Sequence, residues 1–152
     1  YVEAIMKILV AVDGSAHADA AVRVAAGLVR GATDSLQIVT VVPSFAGMDL
    51  EMAPGINQHL TLALESQGKA QLAQAAALAR AEAGIEAKTL LVTGESVPSM
   101  ILEMLEQQGI DLVVLGSRGH GAVSFVLGSV AARIVQQAPC SVYVVKLPAA
   151  TA

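Results

Sequence analysis

Five short runs of this chain are rich in apolar residues and mostly continuous rather than alternating, and a helix-patterned segment stands in each gap between them. The runs are Lys7–Val12, Leu36–Val42, Glu86–Val92, Asp111–Leu115 and Val142–Lys146, rich in Val, Ile and Leu. A strand that alternates polar and apolar residues hides one face, whereas a mostly apolar strand must be covered on both. In the first gap Ser15 reads as a helix cap, and Ala18, Ala21, Val22, Ala25, Leu28 and Val29 recur at helical spacing until Gly31. The second helix is expected from about His59 to Ala83, with Leu60, Leu64, Leu72, Ala76 and Ala79 on one face and Gly84 as its stop. The third begins near Pro98, a good first-turn residue, and carries Ile101, Leu102 and Leu105 before Gly109. The fourth starts at Ser129 and carries Val130, Ala131, Ile134 and Val135. Strand, helix, strand repeated in this way demands right-handed crossovers and a parallel sheet. The expected fold class is α/β: a three-layer open five-stranded parallel sheet with helices on both faces, forming one domain over residues 1–152.

Composition narrows what such a domain can do. Apolar residues are 55% of the 152 and charged residues only 14%. No apolar run approaches the length of a membrane span, so the surplus is assigned to the core and to a subunit interface. Two Phe, two Tyr and no Trp leave little to stack on single-stranded nucleic acid, and a net charge of -4 opposes binding to phosphate backbones. A single cysteine, Cys140, excludes an internal disulfide and suits a reducing cytoplasm. It is expected to pack in the interior beside Pro139, which ends the fourth helix. No signal peptide is read, and Tyr1–Ile5, ahead of Met6, are read as a leader outside the natural start.

The chemistry concentrates in Gly116-Ser117-Arg118-Gly119-His120-Gly121, which follows the fourth apolar run, and in Gly128-Ser129 just beyond. Three glycines in six residues let a backbone turn sharply off a strand and approach a ligand closely. Successive N–H groups in such a turn make a concavity for anions, and the helix that follows adds its positive end. Gly116 and Gly119 can hold phosphate through their N–H groups, or can merely form a tight strand-to-helix turn. Arg118 can clamp a phosphate or simply be solvated. Ser129 can cap the fourth helix and touch a phosphate at once. Asp13, in Asp13-Gly14-Ser15 at the end of the first run, can help cap the first helix or accept hydrogen bonds from ribose hydroxyls. His17, His59 and His120 share no metal-ligand spacing, so no metal site is read. Nothing fits a Walker phosphate loop, and no acidic base stands ready, so strong hydrolysis is not indicated.

From Met6-Lys7-Ile8-Leu9-Val10-Ala11-Val12-Asp13-Gly14-Ser15 to Ser141-Val142-Tyr143-Val144-Val145-Lys146, the chain resembles the universal stress protein family, in its ATP-binding branch. The family's loop runs Gly, two residues, Gly, nine residues, then Gly-Ser or Gly-Thr. Here Gly116 and Gly119 are followed by eight residues before Gly128-Ser129, one fewer. The resemblance implies strand order 3-2-1-4-5, with the third and fifth runs at the edges. It makes strands 1 and 4 neighbours at a switch point, where the carboxyl ends of the strands open a crevice. It also implies nucleotide contacts at Asp13, Val41, Gly116, Gly119, Gly128 and Ser129, with the Val41 backbone holding the adenine edge; Arg118, at a position that varies in the family, is added as a candidate for its charge. The ligand expected is ATP, with Mg²⁺ as its companion, or a related adenine nucleotide. Residues 43–56 are expected to be a loop or lid over the crevice. A homodimer is expected through the edge strand at Ser141–Leu147, since an open apolar edge invites pairing with its own copy.

Three functions follow from the resemblance. The first is a cytoplasmic, dimeric stress-response module that binds an adenine nucleotide. The second is a dimeric interaction protein of the same family without nucleotide, which the shorter loop favours. The third is a slow ATPase, although the signatures His-x-Gly-His and Ser-Gly-Gly-x-Asp-Ser of related enzymes do not occur.

Overall fold

The computed structural model describes residues 5–44, 55–118 and 127–147. The elements run β1 (Lys7–Ala11), α1 (Ala16–Leu28), β2 (Ser35–Pro43), α2 (Ile56–Ala83), β3 (Lys88–Gly94), α3 (Val97–Gln107), β4 (Leu112–Gly116), α4 (Ser129–Gln137) and β5 (Ser141–Val145). All four strand pairings are parallel, and the order across the sheet is β3-β2-β1-β4-β5. The expected α/β fold and strand order are therefore what the chain adopts.

Side-chain alternation divides the core. Ile8 and Val10 on β1, Val12 just beyond it and Val114 on β4 pack with α1 and α2. Leu9, Val113 and Leu115 face α3 and α4 with Ile101, Leu105 and Ile134. Both faces of the central strands are thus sealed, which is why their sequences do not alternate. Leu9 has no exposed surface, and truncating such a side chain to Ala costs about 2–5 kcal/mol. Helix α1 buries Ala18, Ala21, Ala25 and Ala26, small residues that let it lie close to the sheet. The half-buried Cys140 packs with the second cluster, and burial pushes its thiol pKa up.

Several boundaries differ from expectation for identifiable reasons. Strand β3 starts at Lys88, where its pairing with β2 begins at Gln37, and Glu86 before it meets Arg80 in a two-pronged ion pair at 2.7 and 3.1 Å. The chain turns there at Gly84, whose φ of +67° closes the end of α2 through its N–H to the Arg80 carbonyl. Strand β4 starts at Leu112, since the Asp111 carboxylate accepts the Lys7 N–H at 2.8 Å. Helix α1 ends at Leu28, and Gly31 lies in the following turn, its carbonyl accepting the Asp34 N–H. Helix α2 starts at Ile56, ahead of His59, and its stripe is buried only from Gly68 through Leu72, Ala75 and Ala79. Leu60 stays exposed. No helix among the described residues is long and apolar enough to cross a membrane.

Candidate functional site

Strands β1 and β4 lie side by side, Val10 opposite Val114, and the chain leaves them in opposite directions. Their carboxyl ends carry Asp13 and Gly116, so the two motifs, about a hundred residues apart in the chain, meet at one edge of the sheet.

The β1–α1 turn is tightly specified. Ser15 caps α1, its hydroxyl accepting the Ala18 N–H at 3.2 Å. The Ser15 N–H in turn donates to Asp13 Oδ1 at 2.9 Å, so one carboxylate oxygen braces the turn that leads into α1. No hydrogen bond to the other is present among the described residues. Gly14 carries φ +82°, a conformation that strains any residue with a Cβ. Behind Asp13 opens a recess of about 170 Å³ walled by Thr40, Val41, Val42 and Pro43 of β2 and by Leu64, Gln67, Gly68 and Gln71 of α2. Pockets that enclose a whole small ligand run to roughly 300–1,000 Å³, so this one can hold a single ring system while the rest of a ligand lies outside.

Helix α2 comes close enough to form that wall because of Gly68. A Cβ there would stand 2.7 Å from Leu91 Cδ1 and 3.1 Å from Val42 Cγ2. Thr40, buried beneath, donates its hydroxyl to the Val12 carbonyl at 2.8 Å. One turn along α2, Gln71 donates Nε2 to the Asp13 carbonyl at 3.2 Å.

The other half of the edge is built by β4 and α4. A Cβ on Gly116 would lie 2.6 Å from His17 Cβ and 2.8 Å from the His17 carbonyl carbon. Glycine is required there by the passage of α1, whatever else it contacts. Ser117 is buried; its N–H donates to the Val145 carbonyl at 2.8 Å and its carbonyl accepts the Gly128 N–H at 2.7 Å. Its hydroxyl has no hydrogen-bond partner among the described residues, and neither has His17 Nε2. Gly128, not Ser129, occupies the cap position of α4, and Ser129 is exposed at the first helical residue. The cause is backbone geometry: the Gly128 carbonyl already accepts the Ala132 N–H, so the helix begins one residue before a Ser129 cap would allow. The amides of Ser129, Val130 and Ala131 form the open first turn that carries the positive end of the helix dipole.

Of the residues picked out from sequence, Asp13 and Val41 line the recess. Gly116, the half-buried Arg118, Gly128 and Ser129 stand along the β4–α4 side. Gly119, with His120, Gly121 and residues 45–54 of the expected lid, lies outside the described residues. Among the described residues, no cluster of three His, Cys, Asp or Glu could hold a metal ion.

The sequence profile of the universal stress protein family matches residues 4–146. The chain belongs to the universal stress protein family. A universal stress protein of Thermus aquaticus is 34% identical over 143 residues, covering 91% of this chain and 97% of the relative. The universal stress protein UspA from Lactobacillus plantarum superposes with a TM-score of 0.72 at 25% identity, over 94% of this chain and 99% of that one. A universal stress protein from Archaeoglobus fulgidus, solved in complex with dAMP, has the same fold, with TM-score 0.67, 24% identity and coverage of 91% and 96%. Other similar structures were solved with cAMP or with AMP bound. In this universal stress protein, sequence reasoning missed Gln67, Gly68 and Gln71 on α2, and Ser117 and His17 beside β4. Gly68 had a visible signal, a glycine inside a helical pattern, which marks close approach of another element.

Proposed function

We propose that this universal stress protein binds an adenine nucleotide along the carboxyl edge of its sheet and works as a dimeric regulatory module of the cytoplasmic stress response. The observation that carries this reading is the division of the edge into two complementary halves. A ring-sized recess lies beside Asp13, which has spent one oxygen on Ser15. Beside it are the open first turn of α4 and the buried Ser117 hydroxyl, which has no partner among the described residues. Base and ribose fit the first half: the Val41 backbone meets the base edge and Asp13 accepts ribose hydroxyls. Phosphates fit the second, at the amides of Gly116, Gly119 and the α4 turn, with Ser129 and Arg118 alongside. Relatives solved with dAMP, cAMP and AMP support an adenine nucleotide, and ATP with Mg²⁺ is the ligand of choice within that class. Because the protein and the nucleotide are both negative, local donors rather than long-range attraction must hold the phosphates.

The dimer is assigned to β5, one of the two edge strands of the sheet, whose residues Val142 and Val144 are half-buried while Tyr143 is exposed. Antiparallel pairing of Ser141–Leu147 with its copy would close that edge. One observation favours the second reading, an interaction protein without nucleotide: the Gly128 N–H is already taken by the Ser117 carbonyl at 2.7 Å. Mass spectrometry of the purified protein under non-denaturing conditions separates the two. Nucleotide mass on a dimer supports the first reading; a nucleotide-free dimer that takes up neither AMP nor Mg-ATP at millimolar concentration supports the second.

A further inference from the structure

We infer that Gln71 of α2 is a positioning residue that holds Asp13 in its ligand-accepting pose, so that the seating of α2 and the grip on ribose are one device; this rests on the nucleotide reading above. Gly68 sets the depth of the helix, since any Cβ there would press on Leu91 and Val42. At that depth Leu64, Gln67, Gly68 and Gln71 share one helical face and wall the recess. Gln71 then reaches the β1–α1 turn, with Nε2 3.2 Å from the Asp13 carbonyl oxygen. The partner is a carbonyl, so only the amide nitrogen can donate, and the orientation of the side chain is fixed. The half-buried Gln71 also occupies the space over Gly14, where a Cβ would stand 2.7 Å from Nε2. Gly14 is required by its φ of +82°, and a side chain there would also have to push the Gln71 amide off the turn.

The Asp13–Ser15 turn is held at both ends. Gln71 ties the Asp13 carbonyl to α2, and the Ser15 N–H ties Oδ1 back to the turn. Two fixed points leave Oδ2 as the carboxylate oxygen presented beside the recess. Without the first tie the peptide plane after Asp13 is free to rock about its positive-φ glycine, and the carboxylate pose spreads. Gln71 touches no reacting atom; it acts through Asp13, and its effect must therefore vanish when the Asp13 carboxylate or the ribose hydroxyls are removed.

The test uses the full chain and two probes, AMP and 2′,3′-dideoxy-AMP, titrated calorimetrically into wild type, Gln71→Met, Asp13→Ala and the double variant. Gln71→Met keeps the length and helix propensity of the side chain but removes the donor. It should weaken AMP roughly three- to tenfold, the range for one hydrogen bond. It should change dideoxy-AMP by less than about twofold, and add nothing beyond about twofold in the Asp13→Ala background. Equal weakening of both probes, or full additivity with Asp13→Ala, would overturn the positioning role. A ligand-free arm keeps the two claims apart: amide exchange at Ser15 should quicken roughly three- to tenfold in Gln71→Met. Unchanged Ser15 exchange defeats the inference even if AMP binds. Failure of the wild type to bind AMP at millimolar concentration defeats the nucleotide reading, and leaves Ser15 exchange to decide whether Gln71 holds the turn.

Discussion

The two ends of the sheet use the same kinds of residue to opposite effect. At the amino edge Asp34 spends both carboxylate oxygens, on the Met6 N–H at 2.9 Å and on the Arg30 N–H at 3.0 Å. Asp111 accepts the Lys7 N–H and returns its own N–H to the Lys7 carbonyl at 2.9 Å. These carboxylates close the ends of β1, β2 and β4 as helix caps close a helix. At the carboxyl edge Asp13 spends one oxygen, and the Ser117 hydroxyl and His17 Nε2 spend nothing on the described residues. A buried polar atom without a partner costs about 1–3 kcal/mol, and among the described residues the Ser117 hydroxyl and His17 Nε2 at the carboxyl edge are such atoms. The contrast lies there: Asp34 and Asp111 tie strand starts to their neighbours across the sheet, while the carboxyl edge keeps buried polar atoms unspent on the described residues.

The largest effect that bears on this contrast is steric. Gly116→Ala places a Cβ 2.6 Å from His17 Cβ and 2.9 Å from the His17 carbonyl oxygen, backbone that cannot step aside while α1 stays packed. A loss of about 3 kcal/mol in urea unfolding is expected, at the upper end of ordinary overpacking. A near-neutral result would mean that α1 does not sit where the recess requires. Next comes Asp13→Ala, which should weaken AMP by about 1–3 kcal/mol in calorimetry and leave the urea midpoint close to wild type. If it unfolds the protein instead, Asp13 belongs with Asp34 as scaffold, and the contrast fails.

Asp34→Asn should do the reverse, lowering stability while AMP affinity stays put. Its carboxyl is held below the ordinary carboxylate value, first by the Met6 N–H and then by the Arg30 N–H. A depressed folded-state pKa contributes stability that is present above the unfolded-state value of about 3.9. That contribution is lost as pH falls through the lower, folded-state value. The gap between wild type and Asp34→Asn in thermal unfolding should therefore be open at pH 6 and close in strong acid; solvent exposure keeps it modest. Smallest of all is Glu86→Ala. Both partners of its pair with Arg80 are well exposed, so the melting temperature should move little, and added salt should erase the difference.

The scaffold was largely legible in the sequence, because doubly covered strands write themselves as apolar runs and Ser15 caps a helix in the ordinary way. The place of Asp13 at the carboxyl end of β1 was legible as well, since it directly follows the first apolar run. The reason for Gly116 was not: its constraint comes from His17, which no local pattern connects to it. Gln71 was equally hidden, because a helical pattern reports where polar residues sit but not that Gly68 lowers the helix until one of them touches the β1–α1 turn. The cap of α4 is hidden for a similar reason. Ser129 has the better capping side chain, yet the Gly128 carbonyl accepts the Ala132 N–H and so makes Gly128 the cap.

Chemical-shift mapping with AMP on the isotope-labelled 152-residue chain reads both edges in one titration. Saturable shifts are expected at the amides of Asp13, Ser15, Val41 and Ser129 to Ala131, with Lys7, Asp34 and Asp111 unmoved. Shifts centred on the amino edge, or none anywhere at millimolar AMP, would contradict a nucleotide site at the carboxyl edge.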